Sequence, residues 1–188
     1  FIGNYSAGKM GFALAEACAQ RGAEVKLIAG PVALETIHPQ IQRINVESAE
    51  EMYKATTEAF PSADIAILCA AVADYRPEEQ KESKIKREHD ETFSLSLVRN
   101  KDIAATLGKE KRTNQIVVGF ALETNDGIAN ANGKVTRKNL DRIILNSLQD
   151  KGAGFRHDTN KVTIIDRKGD TLTLPLKSKK EVAEEIIN

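Results

Sequence analysis

The segment Asp64 to Ala71 (DIAILCAA), apolar without a break after Asp64, limits the folds open to this chain. It is too short for a membrane span and too continuous for a strand with one wet face. A strand that is apolar on both sides needs cover on both, as parallel sheets flanked by helices provide. Ile116 to Phe120 (IVVGF) and Arg142 to Leu145 (RIIL) repeat the character, and Glu24 to Ala29 (EVKLIA) is a shorter buried strand closed by Gly30-Pro31. Helical patterns lie between them. Met10, Leu14 and Cys18 fall at i, i+4, i+8, with Gly22 placed to end the helix. Ser48 to Phe60 opens with a Ser48-x-x-Glu51 capping box, and Asp102 to Gly108 is a shorter helix. Alternation of this kind predicts an α/β domain with a mostly parallel sheet and helices on both faces. The tail differs. Lys161 to Ile165 and Thr171 to Leu174 flank a turn at 166–170, giving a small C-terminal β-hairpin region, and an amphipathic helix covers Ser178 to Ile187. At 188 residues the chain reads as one domain, 1–188.

Lys+Arg and Asp+Glu are both 27, so the net charge is zero and neither nucleic acid nor a membrane surface is the expected partner. Cys18 and Cys69 both sit in apolar runs, form no disulfide framework or metal cluster, and suit a reducing, cytoplasmic setting. His38, His89 and His157 are isolated; none has a second ligand at metal spacing, so no metal site is predicted. The opening Phe1-Ile2-Gly3-Asn4 carries neither methionine nor signal peptide, and the expected start lies upstream.

Six short motifs carry chemistry. Asn4-Tyr5-Ser6-Ala7-Gly8-Lys9-Met10-Gly11 opens the first helix, where small residues let an anion approach free N–H groups. Gly3-x4-Gly8-Lys9 matches a P-loop until Met10 takes the place of its Ser/Thr; a glycine turn that merely packs a helix is the alternative. Ala70-Ala71-Val72-Ala73-Asp74-Tyr75-Arg76-Pro77 follows the strongest strand, where ligands of open α/β sheets bind. There Asp74 either meets ribose hydroxyls or caps a turn. Lys81 to Arg87 is a solvated cationic run, or a strand on which Lys84 and Lys86 point the same way. Asn100-Lys101-Asp102-Ile103 turns into a helix that Asn100 is expected to cap. Gly119-Phe120-Ala121-Leu122-Glu123-Thr124 ends a strand in a glycine–aromatic pair. Lys134 and Lys138 share a helix face after the Gly- and Asn-rich 125–133, which is expected to be a poorly ordered flap without ligand.

In this order, from Phe1 to about Asp166, the motifs resemble the phosphopantothenoylcysteine synthetase family, and within it the bacterial domain often fused behind a flavin-dependent decarboxylase. The resemblance implies a Rossmann-like homodimer in coenzyme A biosynthesis. It would join 4′-phosphopantothenate to L-cysteine, using CTP with Mg2+ through an acyl-cytidylate. It also implies roles: Asn4 and Lys84 catalytic; Leu68, Cys69, Ala70, Asp74, Lys84, Asn100, Lys101, Asp102, Ile103, Phe120, Lys134 and Lys138 around the nucleotide; Asn4, Ser6, Gly8 and Lys9 as the substrate loop. Family members carry a further strand and a Gly-rich turn ahead of the Asn4 motif, and Lys101 stands where the family usually has proline. With no flavin domain in these residues, neither FMN nor decarboxylation is expected of them. An ATP-using member is one alternative. Another is an NAD(P) oxidoreductase, which would need G-x-G-x-x-G after a strand and an acidic end to the second strand; that strand ends Ala29-Gly30-Pro31. A polyanion-binding module working through Lys81 to Arg87 is the third.

Overall fold

Neighbouring residues of the IVVGF strand bury into different cores. Val118 packs with Met10, Leu14, Ile144 and Val182, while Val117 packs with Leu107, Ala131, Val135 and Ile143. That period-two split is what a strand covered on both faces requires. The computed structural model describes residues 6–79, 94–123, 126–147 and 157–188.

In chain order the elements are α1 (Lys9–Gln20), β1 (Val25–Ala29), β2 (Ile41–Asn45), α2 (Ala49–Ala59), β3 (Ile65–Leu68), β4 (Tyr75–Pro77), β5 (Leu97–Arg99) and α3 (Ile103–Glu110). They continue with β6 (Ile116–Glu123), α4 (Gly127–Arg137), β7 (Arg142–Ser147), β8 (Thr159–Asn160), β9 (Val162–Asp166), β10 (Thr171–Thr173), β11 (Lys177–Ser178) and α5 (Lys179–Ile187). The five-stranded sheet has the order β10-β9-β7-β6-β3. α1 and α5 supply the core on one face, α3 and α4 that on the other. Side chains as completely enclosed as Leu107, Leu140, Ile143 and Ile144 each contribute about 1.5–3 kcal/mol by burial.

The helix ends follow the sequence signals. Gly8 at φ 76° starts α1, and Gly22 at φ 88° sits just past its end. Ser48 caps α2 by accepting from Glu51 N–H, and Ser178 and Glu181 form a complete capping box on α5.

Several expectations need correction. The sheet is mixed: β3, β6 and β7 are parallel, but β9 runs antiparallel to β7 and β10 antiparallel to β9. The C-terminal hairpin is therefore the edge of the main sheet, not a separate region; a tight turn through Gly169 (φ 88°) can return the chain only antiparallel. β1 and β2 form their own parallel pair. Among the described residues β1 and β3 do not pair. β3 is accordingly shorter than the apolar run, and Ile65 is 55% exposed. Asn100 does not cap α3; Asp102 does, accepting from Ala105 N–H at 3.0 Å. Residues 127–133, expected to be a disordered flap, are the first two turns of α4, pinned by Ala131 and Val135, which are almost wholly buried. β2 was not anticipated because Ile41 and Ile44 lie three apart rather than in alternation. Among the described residues no helix is long and apolar enough to cross a membrane.

Candidate active site

β3 ends at Leu68, opposite Gly119 of the parallel strand β6, which runs on to Glu123. Gly119 has no room for a side chain: a Cβ would lie 2.9 Å from Leu140 Cδ1. Beyond this edge come Cys69 and Ala70 on one strand and Phe120 on the next, Phe120 half-buried against the α1–α5 core. Burial pushes the Cys69 thiol up to about 12, with Lys179 pulling against it, so Cys69 is a neutral wall residue rather than a nucleophile.

The chain then turns into the β4–β5 ribbon, and Asn100 staples that turn. Its Nδ2 donates to Ala73 O at 2.8 Å and its backbone N–H to Asp74 O at 2.8 Å. Arg76 donates through one guanidinium nitrogen to Asn100 Oδ1 at 3.0 Å and to Arg99 O at 3.2 Å. Asp74, held at its backbone, keeps an exposed side chain close enough to Arg99 to favour that cation. Asp102 divides its carboxylate between capping α3 and an ion pair with Lys138 at 2.9 Å. Burial raises its pKa, but the Lys138 hydrogen bond and the Ala105 N–H outweigh this and hold it below the ordinary aspartate value. Ile103 packs into the core behind. Lys101 points elsewhere, 2.7 Å from Glu50 and 4.7 Å from the centre of the Tyr53 ring on α2. Lys134, one turn before Lys138 on α4, reaches Glu123 at 2.5 Å.

At the start of α1, Ser6 Oγ accepts from Gly8 N–H at 3.4 Å, and Gly8 lies against Val32. Arg43 holds the loop that carries Val32, donating to the carbonyls of Val32 and Leu34 and stacking 5.4 Å over Phe12. Lys9 pairs with Asp158 at 2.6 Å. That bond holds Asp158 below the usual aspartate range. Buried Lys179 donates to His157 O at 2.6 Å; desolvation, then repulsion from Lys9, keeps it below the usual lysine range.

Ser6, Gly8, Lys9, Leu68, Cys69, Ala70, Asp74, Asn100, Lys101, Asp102, Ile103, Phe120, Lys134 and Lys138 all border one open cleft, together with many other described residues. Direct contacts tie Asn100 to the Ala73–Asp74 turn, Asp102 to Lys138, and Ser6 to Gly8, while Lys101 turns to Glu50, Lys134 to Glu123 and Lys9 to Asp158. Lys179 links the start of α1 to the end of β3, since its charge is felt by both Lys9 and Cys69. Asn4 and Lys84 lie outside the described residues. Sequence reasoning left Arg76, Glu123, Asp158 and Lys179 without roles. Arg76 and Glu123 stood inside quoted motifs as the charged residues beside assigned ones, whereas Asp158 and Lys179 carry no local signal and reach the site only through the fold.

Fold and site together define an α/β domain whose candidate site lies beyond the carboxyl end of β3 and along the neighbouring parallel strand β6. The DNA/pantothenate metabolism flavoprotein C-terminal domain family matches residues 1–188, and the chain belongs to it. A cysteine/cysteine sulfinic acid decarboxylase from an unknown prokaryotic organism is 54% identical, over 100% of this chain and 52% of its own length. The coenzyme A biosynthesis bifunctional protein CoaBC of Vibrio cholerae is 43% identical, over 100% of this chain and 47% of its own length. The chain thus spans about half the length of these relatives. The crystal structure of the C-terminal domain of a CoaBC protein superposes with a TM-score of 0.79 at 40% identity, covering 97% of this chain and 82% of that one.

Proposed function

We propose that the domain is a phosphopantothenate–cysteine ligase of coenzyme A biosynthesis, using Mg·CTP as the activating substrate. The observation that carries the reading is the joining of the A-A-V-A-D-Y-R-P and N-K-D-I motifs by Asn100, with Lys138 paired to Asp102 beside them. These are the motifs on which the resemblance rests, and their contact gives a nucleotide a wall, a carboxylate and cations. Asp74 would accept from the ribose hydroxyls, and Lys134 and Lys138 would face the phosphates. Magnesium enters with the triphosphate. Among the described residues no group of three His, Cys, Asp or Glu side chains converges to hold an ion.

In the first step a carboxylate oxygen of 4′-phosphopantothenate attacks the α-phosphorus of CTP, and the bond to the β-phosphate breaks to release pyrophosphate. The cations stabilise charge gathering on the phosphoryl oxygens. In the second, the neutral amine of L-cysteine attacks the acyl carbon, CMP leaves, and one proton is lost from nitrogen. Asn4, by its motif position, would donate to the tetrahedral oxyanion. Asn4→Asp should trap the acyl-cytidylate while pyrophosphate is still released. Lys84→Gln should slow pyrophosphate release about 100-fold while Lys81→Gln changes little. A homodimer is expected, with the sheet edge at β10 as its surface, where Leu172 is 56% exposed; a monomer by light scattering would count against this.

The decisive assay offers phosphopantothenate and cysteine with CTP or ATP and follows pyrophosphate, CMP and the amide product. Carbon dioxide release from cysteine and cysteine sulfinate is run beside it, because the decarboxylase name belongs to a relative about twice this length. Decarboxylation without nucleotide turnover would defeat the ligase reading. Turnover with ATP alone would keep the ligase and replace the nucleotide.

A further inference from the structure

We infer that Glu123 is a positioning residue of the active site, which aims Lys134. This rests on the reading that Lys134 faces the nucleotide. Glu123 is the last residue of β6, and its side chain is 17% exposed. One carboxylate oxygen lies 2.5 Å from Lys134 Nζ, and the other accepts from Asn130 Nδ2 at 3.3 Å. Gly127, at the first position of α4, approaches so closely that a Cβ there would sit 3.4 Å from Glu123 Cβ and 3.1 Å from Leu145 Cδ2. Residues 127, 130 and 134 stand at i, i+3 and i+7 and share one helix face.

A single side chain therefore organises the polar face of α4, as Ala131 and Val135 organise the apolar one. It also sets Lys134 apart from Lys138. The partner of Lys138 is Asp102, an exposed carboxylate already committed to a helix cap. The partner of Lys134 is mostly enclosed and fixed to a core strand, so Lys134 loses its rotamer freedom before any nucleotide arrives.

The test is a double-substitution cycle in the full-length protein: Glu123→Gln, Lys134→Gln and the pair, with Glu123→Asp as the conservative variant. Each is assayed for pyrophosphate release from CTP and phosphopantothenate, for Mg·CTP binding by calorimetry and for melting temperature. Glu123→Gln keeps an oxygen for Asn130 and loses the ion pair. It should lower kcat about tenfold, within the range of directly coupled neighbours, with little change in melting temperature. Glu123→Asp should recover part of the loss, and the double variant should be no slower than Lys134→Gln alone. Independent losses that multiply in the double variant, or a loss that tracks a fall in melting temperature, would overturn the inference while leaving Lys134 in the site. Wild-type kinetics and Mg·CTP binding in Lys134→Gln would remove Lys134 from the site, and the role of Glu123 with it.

Discussion

Gly108 is where α3 and the end of α4 meet most closely, and replacing it with alanine should be the most informative single change to the scaffold. A Cβ there would overlap the Lys138 carbonyl oxygen, lie 3.0 Å from the Lys138 carbonyl carbon and lie 3.3 Å from Asn139 O. These are backbone atoms and cannot rotate away, so the helices must separate. Separation stretches the 2.6 Å bond that Asn139 Nδ2 donates to Gly108 O and the 2.9 Å Lys138–Asp102 ion pair. Overpacking of this kind costs about 3 kcal/mol, the upper part of its usual range, because the neighbour is backbone. The weakened hydrogen bond adds about 1 kcal/mol. Alanine's better helix propensity returns about 1 kcal/mol. The net loss of about 3 kcal/mol corresponds to a melting temperature roughly 6–12 °C lower for a domain of this size. Gly133→Ala is the matched control. Nothing lies within 4 Å of a Cβ at Gly133, and it sits inside α4, so the same substitution should raise the melting temperature by about 2–4 °C. Thermal unfolding followed by circular dichroism reads both. If Gly108→Ala melts within about 2 °C of the parent protein, the close approach of α3 to α4 is wrong, and with it the placing of Lys138 at Asp102.

Asn100→Ala removes the donor to Ala73 O and the acceptor for Arg76, and should raise KM for CTP about three- to tenfold with kcat nearly unchanged; a change confined to kcat would contradict its role as a staple of the binding turn. Asp102, held below its ordinary value of 3.8, stabilises the fold above that pH and loses its contribution as pH falls through its lowered folded value; Lys138→Gln should shift its carboxyl resonance titration upward and flatten the acid limb of stability below about pH 4. Asp141→Ala strips the nearly buried Lys111 ammonium of its partner at 2.6 Å and Val117 N–H of its acceptor at 2.8 Å, so unfolding in urea should show a loss of about 3–5 kcal/mol.

What the sequence disclosed of the fold depends on how local each cause is. The alternating burial of Val117 and Val118, the glycine after α1 and the Ser48 cap act within a few residues, and each was readable. Strand direction was not, because an antiparallel β9 against β7 depends on where the chain re-enters the sheet, and the residues of a buried strand look the same either way. α4 fails as a local reading for a different reason. Gly127, Asn130, Asn132 and Gly133 argue against a helix, and the groups that outvote them are Glu123 on one side and the pocket for Ala131 and Val135 on the other. Propensity is a weak prior against a specific carboxylate and two buried side chains.

The site divides along the same line. Leu68 ends β3 much as the apolar run suggested, whereas Phe120, expected to close its strand, lies inside β6, which runs on to Glu123. Asn100 was found but misread. Position alone makes it a cap, whereas the adjacent Asp102 carries the charge that suits a helix start and leaves Asn100 free to bridge to Ala73. The lysines were legible as cations but not as paired ones. Lys101 is drawn to Glu50 and Lys9 to Asp158, 51 and 149 residues away along the chain, whereas Lys134 is held by a carboxylate only eleven residues earlier. That short separation matters. Glu123 and Lys134 belong to one β-strand-to-helix passage, so their pairing is fixed once β6 and α4 pack and does not wait for the rest of the domain. On the proposed reading, a lysine oriented in this way would meet an incoming phosphate already aimed, and the Glu123 cycle measures what that orientation contributes.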